Sequence, residues 1–228
     1  MPWADSRRVH PGPYYTVKIS HKGANTFTEL KEAQNAVSNY PDSHPEVHTT
    51  WDEADEYRES RPTWNGLYTV DEDGHHRYVV YVCAYRDEED MCGMGIWFGE
   101  NNPCNYTGPM EEIGISQKRA ELVAIYQALQ IIYQRSDLEK WQIRIHSIEA
   151  FKSVTTEMEA IRNKHWKGSN GRLVANADIY YSINRWIFMK TFYGDIFSFK
   201  HVCNTNEKGY NKAMKLAKRG VLEPTYKY

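Results

Sequence analysis

The chain has 228 residues, of which 41% are hydrophobic, with 17 Tyr and 7 Trp among them. This length accommodates one domain of ordinary size and a smaller one, and the composition excludes an intrinsically disordered chain. The formal net charge is -2. Contact with a polyanion such as nucleic acid therefore requires a local basic patch.

The cysteines and the apolar segments indicate the cellular compartment of the protein. Four cysteines form no CxxC pair and no zinc-like spacing, so we expect free thiols in a reducing compartment. No apolar run reaches the ~20 residues that span a bilayer, and the N-terminus lacks a signal-type apolar segment. We expect an intracellular protein, nuclear or cytoplasmic, with no membrane association.

The N-terminal part of the chain predicts a small α/β module at 14–58, after a tail at 1–13 that contains Pro and Gly. Residues 59–76 contain Pro62, Gly66 and a turn, and they are predicted as a linker that can hold a hairpin. The predicted elements of the module are a strand at 14–19, a helix at 29–38, a short segment at 47–50 and a helix from Trp51.

The remaining chain predicts a second domain at 77–222, followed by a tail at 223–228. The element order β-β-β-α-β-α-α-β-α calls for a mixed sheet flanked by helices. The predicted strands lie at 78–82, 93–98, 106–113, 141–146 and 196–202, and the predicted helices at 117–135, 150–161, 178–192 and 210–219.

Several segments of this second domain resemble, in the right order, the motifs of type 1 ribonucleases H. Residues 116–121 (SQKRAE) resemble the T-N-Q-R-A-E stretch, 165–176 resemble the W-K-T-S-x-G-K-x-V-x-N stretch, and 199–220 resemble the "HV…EADxLAxxG" close. The resemblance covers nearly all of 76–222 and implies an α/β fold with an RNase H-like mixed five-stranded sheet. The module at 14–58 is similar to the viroplasmin-like, hybrid-binding domain that precedes many of these nucleases.

Active members of that family hydrolyse the RNA strand of an RNA/DNA hybrid with two Mg²⁺ ions, held by four acidic positions. Hard divalent cations at close spacing need several carboxylates. The resemblance puts Cys83, Glu121, Ile148 and Met214 at those positions. Because three of the four acids are replaced, we expect no catalytic residues, no metal and no cofactor. Shifting the alignment by one residue would put Glu149 at an acidic position, but Met214 would still replace an acid. Such a shift would also turn the side chains of a strand to the opposite face.

A second group of residues predicts nucleic-acid contact. Lys164, Trp166, Lys167 and Arg172 combine cations with an aromatic in one loop, which suits a phosphate backbone. The alternative to nucleic-acid contact is that the charged residues of the loop are only solvated and that Trp166 packs against the protein. The resemblance also puts Ser116 and Asn176 where the family's phosphate pocket has Thr and Asn.

The N-terminal module predicts a protein contact rather than hybrid binding. Family members present a basic surface there with a stacking aromatic, whereas Leu30 stands roughly where a Trp is common. An acidic surface is repelled by phosphate. The module's acids are Glu29, Glu32, Asp42, Glu46, Asp52, Glu53, Asp55 and Glu56, against Lys18, Lys22, Lys31 and Arg58.

Three hypotheses follow, in order of preference. The first is a pseudonuclease that acts as a protein-interaction scaffold or adaptor in an RNA-related complex, with a protein partner of unknown identity. The second is a non-catalytic protein that binds RNA or RNA/DNA hybrid. The third is an active metal-dependent ribonuclease H that uses rearranged acids.

Overall fold

A computed structural model describes residues 11–20, 23–60, 66–112, 114–134, 139–191 and 196–222. The chain divides into two compact units, residues 1–65 with 101–105, and residues 66–100 with 106–228. None of the described helices has the length and apolar character needed to cross a membrane.

The first unit is a three-stranded antiparallel sheet with two helices. The elements are β1 (Tyr14–Val17), β2 (Asn25–Phe27), α1 (Leu30–Ala36), β3 (Glu46–His48) and α2 (Trp51–Glu59). The strands have the order β2-β1-β3, and α1 and α2 pack against β1. Thr50 and Glu53 form a reciprocal capping box that fixes the start of α2.

The second unit contains the larger sheet and the longer helices. Its strands are β4 (Leu67–Val70), β5 (His76–Arg86), β6 (Cys92–Trp97), β7 (Tyr106–Pro109), β8 (Trp141–Ile145) and β9 (Phe197–His201). Its helices are α3 (Gln117–Gln134), α4 (Ile148–Lys152), a π-helical turn (Ser153–Glu157), α5 (Met158–Asn163), α6 (Ala177–Thr191) and α7 (Lys208–Val221).

The second sheet is mixed, with the order β7-β6-β5-β8-β9. β5, β6 and β7 pair antiparallel, while β8 lies parallel to both β5 and β9. α7 packs on one face of β5 and β6 with Ala213 and Ala217. α3 also packs on β5 and β6 and buries a stripe that contains Leu122, Ile125 and Leu129. The predicted mixed sheet flanked by helices is confirmed.

The predicted linker at 59–76 differs from the observed structure. α2 continues to Glu59, and residues from Gly66 onward belong to the second compact unit. β4 pairs antiparallel with the first residues of β5. The expected hairpin is therefore formed by β4 and β5, and β4 is a sixth strand of the main sheet. Residues 1–10, 61–65 and 223–228 of the predicted tails and linker lie outside the described residues.

Two glycines on β6 allow α7 to lie directly on the sheet. A Cβ at Gly95 would overlap the carbonyl oxygen of Ala213 and the backbone nitrogen of Ala217. A Cβ at Gly93 would overlap the carbonyl oxygen of Ala217. These neighbours are helix backbone and cannot move aside alone, so any side chain at either position must displace the whole helix.

We therefore expect Gly95→Ala to lower the free energy of unfolding by about 3 kcal/mol or more, at the upper end for overpacking. The matched control is Gly168→Ala, where the nearest atom to the new Cβ is Asn170 Oδ1 at 3.4 Å. That control should change the stability by less than about 0.5 kcal/mol. Urea unfolding followed by circular dichroism measures both, and equal midpoints for the two variants would contradict the close packing.

Candidate functional site

A cavity of about 150 Å³ lies where the C-terminal ends of β5 and β8 meet the first turns of α3 and the first half of α7. Carboxyl ends of neighbouring parallel strands are a common place for sites in α/β sheets. The cavity is lined by Val82, Cys83, Ala84, Gln117, Glu121, Ile125, Ile145, His146, Ser147, Tyr210 and Met214.

Three of the four residues that the sequence resemblance assigns to the family's acidic positions line this cavity. Cys83 is buried on β5 and belongs to the cluster against which Met214 of α7 packs. Glu121 of α3 lines the same space. Ile148 is 45% exposed at the first residue of α4, immediately after Ser147, which lines the cavity and caps α4 through Ala150 N. The structure therefore brings these sequence positions together.

A glutamine holds the single carboxylate of the cavity in place. Gln117 Nε2 donates to Glu121 Oε1 at 3.0 Å and to the carbonyl oxygen of Ala84 at 3.2 Å. The amide thus ties the helix carboxylate to the end of β5. Residues 117 and 121 are one helical turn apart, so the i,i+4 spacing in the sequence already carries this signal.

The charge of Glu121 affects its neighbours in the cavity. Burial raises the pKa of the Cys83 thiol far above its ordinary range, and the nearby Glu121 carboxylate raises it further. Burial also raises the pKa of Tyr210, with smaller contributions from Cys83 and Glu121. Cys83 is therefore a neutral thiol at physiological pH, and a neutral thiol is not a ligand for a hard cation.

His146 and Tyr210 complete the polar wall of the cavity. His146 Nδ1 lies 2.8 Å from the carbonyl oxygen of Val202, so in the neutral ring Nδ1 donates and Nε2 remains an acceptor. The His146 and Tyr210 rings are 4.5 Å apart. Neither residue is predicted as a site residue, because His146 follows β8, Tyr210 lies in the first turn of α7, and only the tertiary fold brings their rings together.

Metal ligands converge elsewhere. Within the described part of the chain, three or more His, Cys, Asp or Glu ligand atoms approach one another within 4.8 Å only at Asp71, Asp73 and His75. These residues form the β4–β5 turn, where Asp71 accepts from the His75 and Asp73 backbone nitrogens and pairs with Arg77. Asp71 therefore has a structural role in the hairpin.

The predicted basic loop joins α5 to α6, and none of its residues lines the cavity. Lys164, Lys167 and Arg172 are exposed, and none forms an ion pair with a residue that the structure describes. Trp166 is partly buried and packs edge-to-face on Tyr181 of α6, with ring centroids 6.0 Å apart. The loop is thus an exposed cationic surface with an anchored aromatic.

Ser116 and Asn176 contact different parts of Arg119, the backbone and the guanidinium respectively. Ser116 Oγ accepts from Arg119 N at 3.2 Å, and Asn176 Oδ1 lies 3.4 Å from Arg119 Nη1. The Arg119 side chain pairs with Glu112 at 2.7 Å and with Asp178 at 2.9 Å. Two carboxylates therefore neutralise the cation next to Asn176, one of the two predicted phosphate-pocket residues.

No family model matches the chain. A curated relative, the ribonuclease H of Schizosaccharomyces pombe, is 32% identical over 139 residues, which make up 58% of this chain and 47% of that relative. The chain thus spans about half of the relative's length. The solution structure of the PFV RNase H domain has a TM-score of 0.51 at 16% identity, over 63% of this chain and 93% of that one.

A second solved structure, a foamy viral protease-reverse transcriptase in complex with dsDNA, has a TM-score of 0.50 at 19% identity. The match covers 63% of this chain and 92% of that chain. At these identities the likeness concerns the fold. The chain has a ribonuclease H-like fold, as the sequence predicts, together with a ribonuclease H relative.

The burial of the cysteines leads to a direct test. Cys83, Cys92 and Cys104 are buried and Cys203 is exposed. In the native protein at pH 8, we expect Ellman's reagent to react rapidly with Cys203 alone and with all four thiols only after unfolding. Cys203→Ser should remove the rapid phase and Cys92→Ser should keep it. A rapid phase that survives in Cys203→Ser would contradict this burial.

Proposed function

We propose that this chain is a catalytically inactive member of the ribonuclease H family that acts as a protein-interaction scaffold or adaptor in an RNA-related complex. One observation carries the proposal. At the positions where the sequence resemblance expects the family's metal ligands, Cys83, Met214 and Glu121 line one cavity, and Glu121 is its only carboxylate among the described lining residues.

Charge explains why this cavity does not suit two-metal catalysis. Two divalent ions bring four positive charges, and each ion must exchange hydration waters for anionic oxygen ligands. Glu121 supplies one negative charge, while the Cys83 thiol stays protonated because burial raises its pKa. The thioether of Met214 is a soft, neutral group. The repulsion between two ions would therefore remain largely uncompensated.

The relatives support the RNA-related part of the proposal. The Schizosaccharomyces pombe relative is called a ribonuclease H. One structural neighbour, a foamy viral protease-reverse transcriptase with a TM-score of 0.50, was solved in complex with an RNA/DNA hybrid. An inactive protein that descends from this family has an origin in assemblies that contain such nucleic acids.

The first unit supports a protein contact. Most of its acids, including Glu32, Asp52 and Glu56, are exposed. Leu30 is 43% exposed and Val47 is 60% exposed in the same unit. We propose that this unit is a viroplasmin-like module whose nucleic-acid surface has been replaced by an acidic surface with exposed apolar side chains. Such a surface fits a basic or amphipathic protein segment better than a phosphate backbone.

A second candidate function, nucleic-acid binding without cleavage, is favoured by the loop between α5 and α6. Its cations are exposed without ion pairs to described residues, and Trp166 is held against Tyr181. A positioned aromatic beside free cations is the combination that stacks on bases and neutralises phosphates. This candidate concerns the second unit and is compatible with a protein contact through the first.

The absence of catalysis is tested with an RNA/DNA hybrid in millimolar Mg²⁺ or Mn²⁺. We expect the unmodified protein to cleave no faster than Glu121→Gln, because one carboxylate cannot assemble the two-metal centre. An active type 1 ribonuclease H serves as the positive control. Metal-dependent cleavage that disappears in Glu121→Gln would overturn the proposal and favour an active enzyme with rearranged acids.

Nucleic-acid binding is tested by fluorescence anisotropy on hybrid, double-stranded and single-stranded RNA at graded salt. If the loop contacts phosphates, Lys164→Gln/Lys167→Gln should weaken binding and reduce the slope of log affinity against log salt by about 2. The matched control is Lys208→Gln/Lys212→Gln, a pair of cations that bind Glu100. An equal loss in both double variants would indicate unspecific charge attraction and would remove the loop from the site.

A further inference from the structure

The cavity carries a negative charge that no described residue compensates. Among the eleven described residues that line it, Glu121 is the only Asp, Glu, Lys or Arg. Its Oε1 accepts from Gln117, and it forms no ion pair with a described residue. Partial burial of a carboxylate without a cation costs desolvation free energy. A cation that binds there is attracted more strongly than it would be in water, because the local dielectric constant is lower.

The walls of the cavity decide which cation fits. Cys83, Met214, Ile125 and Ile145 offer sulfur and hydrocarbon, and the partly buried Tyr210 offers an aromatic ring. A strongly hydrated ion loses its water here without recovering enough oxygen ligands. A guanidinium is weakly hydrated and planar, stacks on aromatic rings, and binds a carboxylate through two parallel hydrogen bonds.

The remaining polar groups are also suited to a donor. The His146 tautomer fixed by the Val202 carbonyl leaves Nε2 as an acceptor. The Glu121 charge contributes to the raised pKa of both Cys83 and Tyr210, so its field extends across the cavity and disfavours an anion. A guanidinium has five N–H donors and no acceptor, which matches this arrangement.

We propose that the cavity binds the guanidinium group of an arginine side chain from the partner protein, with Glu121 as its counter-ion. This inference rests on the proposed function, since it requires that the cavity is not filled by two metal ions. Its volume of about 150 Å³ suits a single side-chain group rather than a whole small molecule. The site of lost catalysis would then serve as the specificity pocket of the scaffold.

The test uses the full chain with ¹³C-methyl methionine and follows the Met214 methyl resonance, assigned with Met214→Leu. The probe is N-acetyl-arginine N-methylamide, and the citrulline analogue is its neutral isostere. We expect the arginine probe to shift the Met214 resonance with an affinity on the order of millimolar, and the citrulline analogue to bind about tenfold more weakly or worse.

Glu121→Gln should weaken the arginine probe by a similar factor, about tenfold or more. Glu149→Gln should leave its affinity unchanged, because Glu149 is an exposed acid of α4 that does not line the cavity. Equal binding of arginine and citrulline probes, tighter binding of the lysine analogue, or no shift of Met214 would each overturn the inference.

A parallel Mg²⁺ titration separates this inference from the proposed function. If Mg²⁺ shifts the Met214 resonance with two ions bound per chain, both the inference and the inactive assignment fail. If neither Mg²⁺ nor the arginine probe shifts it, the guanidinium site alone is wrong and the inactive assignment stands.

Discussion

α7 lies against β6 at a distance that only glycine permits, because any Cβ at Gly93 or Gly95 would overlap the helix backbone. The helix contributes Ala213 and Ala217 to this contact, so backbone packs on backbone over two turns. Its register on the sheet is consequently fixed by shape. Since Met214 is adjacent to Ala213, that register also determines which side chain of α7 faces the end of β5.

This packing separates the stability of the fold from the charge of the cavity. The glycine–alanine contact requires no acid at position 83 or 214, so both positions can change while α7 keeps its place. A cluster of carboxylates without metal is destabilising, because like charges at close distance raise one another's pKa and resist burial. Cys83 and Met214 bring no such repulsion to this cavity. The result is a largely hydrophobic cavity in which Glu121 is the one acid among the described lining residues.

The elements that the sequence predicts well are those with strong periodicity. The buried stripe of α3, with Leu122, Ile125 and Leu129, predicts the helix, and the predicted start at Gln117 is the observed one. β4 lacks such a pattern, since most of its side chains are exposed and its pairing with β5 comes from the fold. β2 spans three residues and is too short to be periodic. Motif spacing predicts that Cys83, Glu121 and Met214 occupy the family's acidic positions, and the structure brings these three residues to one cavity. The contact between His146 and Tyr210, in contrast, joins the residue after β8 to the first turn of α7, and no local pattern encodes it.

The surroundings of Arg119 bear on the order of the two candidate functions. Glu112 and Asp178 already neutralise this guanidinium, which Asn176 also contacts, while Ser116 accepts from the Arg119 backbone nitrogen. A phosphate at that point would have to compete with two carboxylates and would be repelled by both. Exposed cations that form no ion pair with a described residue, such as Lys164, Lys167 and Arg172, are then better candidates for a phosphate contact. A small number of phosphate contacts gives weak binding that salt readily disrupts. We therefore propose nucleic acid as an additional contact within a complex and a protein partner as the contact that holds the complex together.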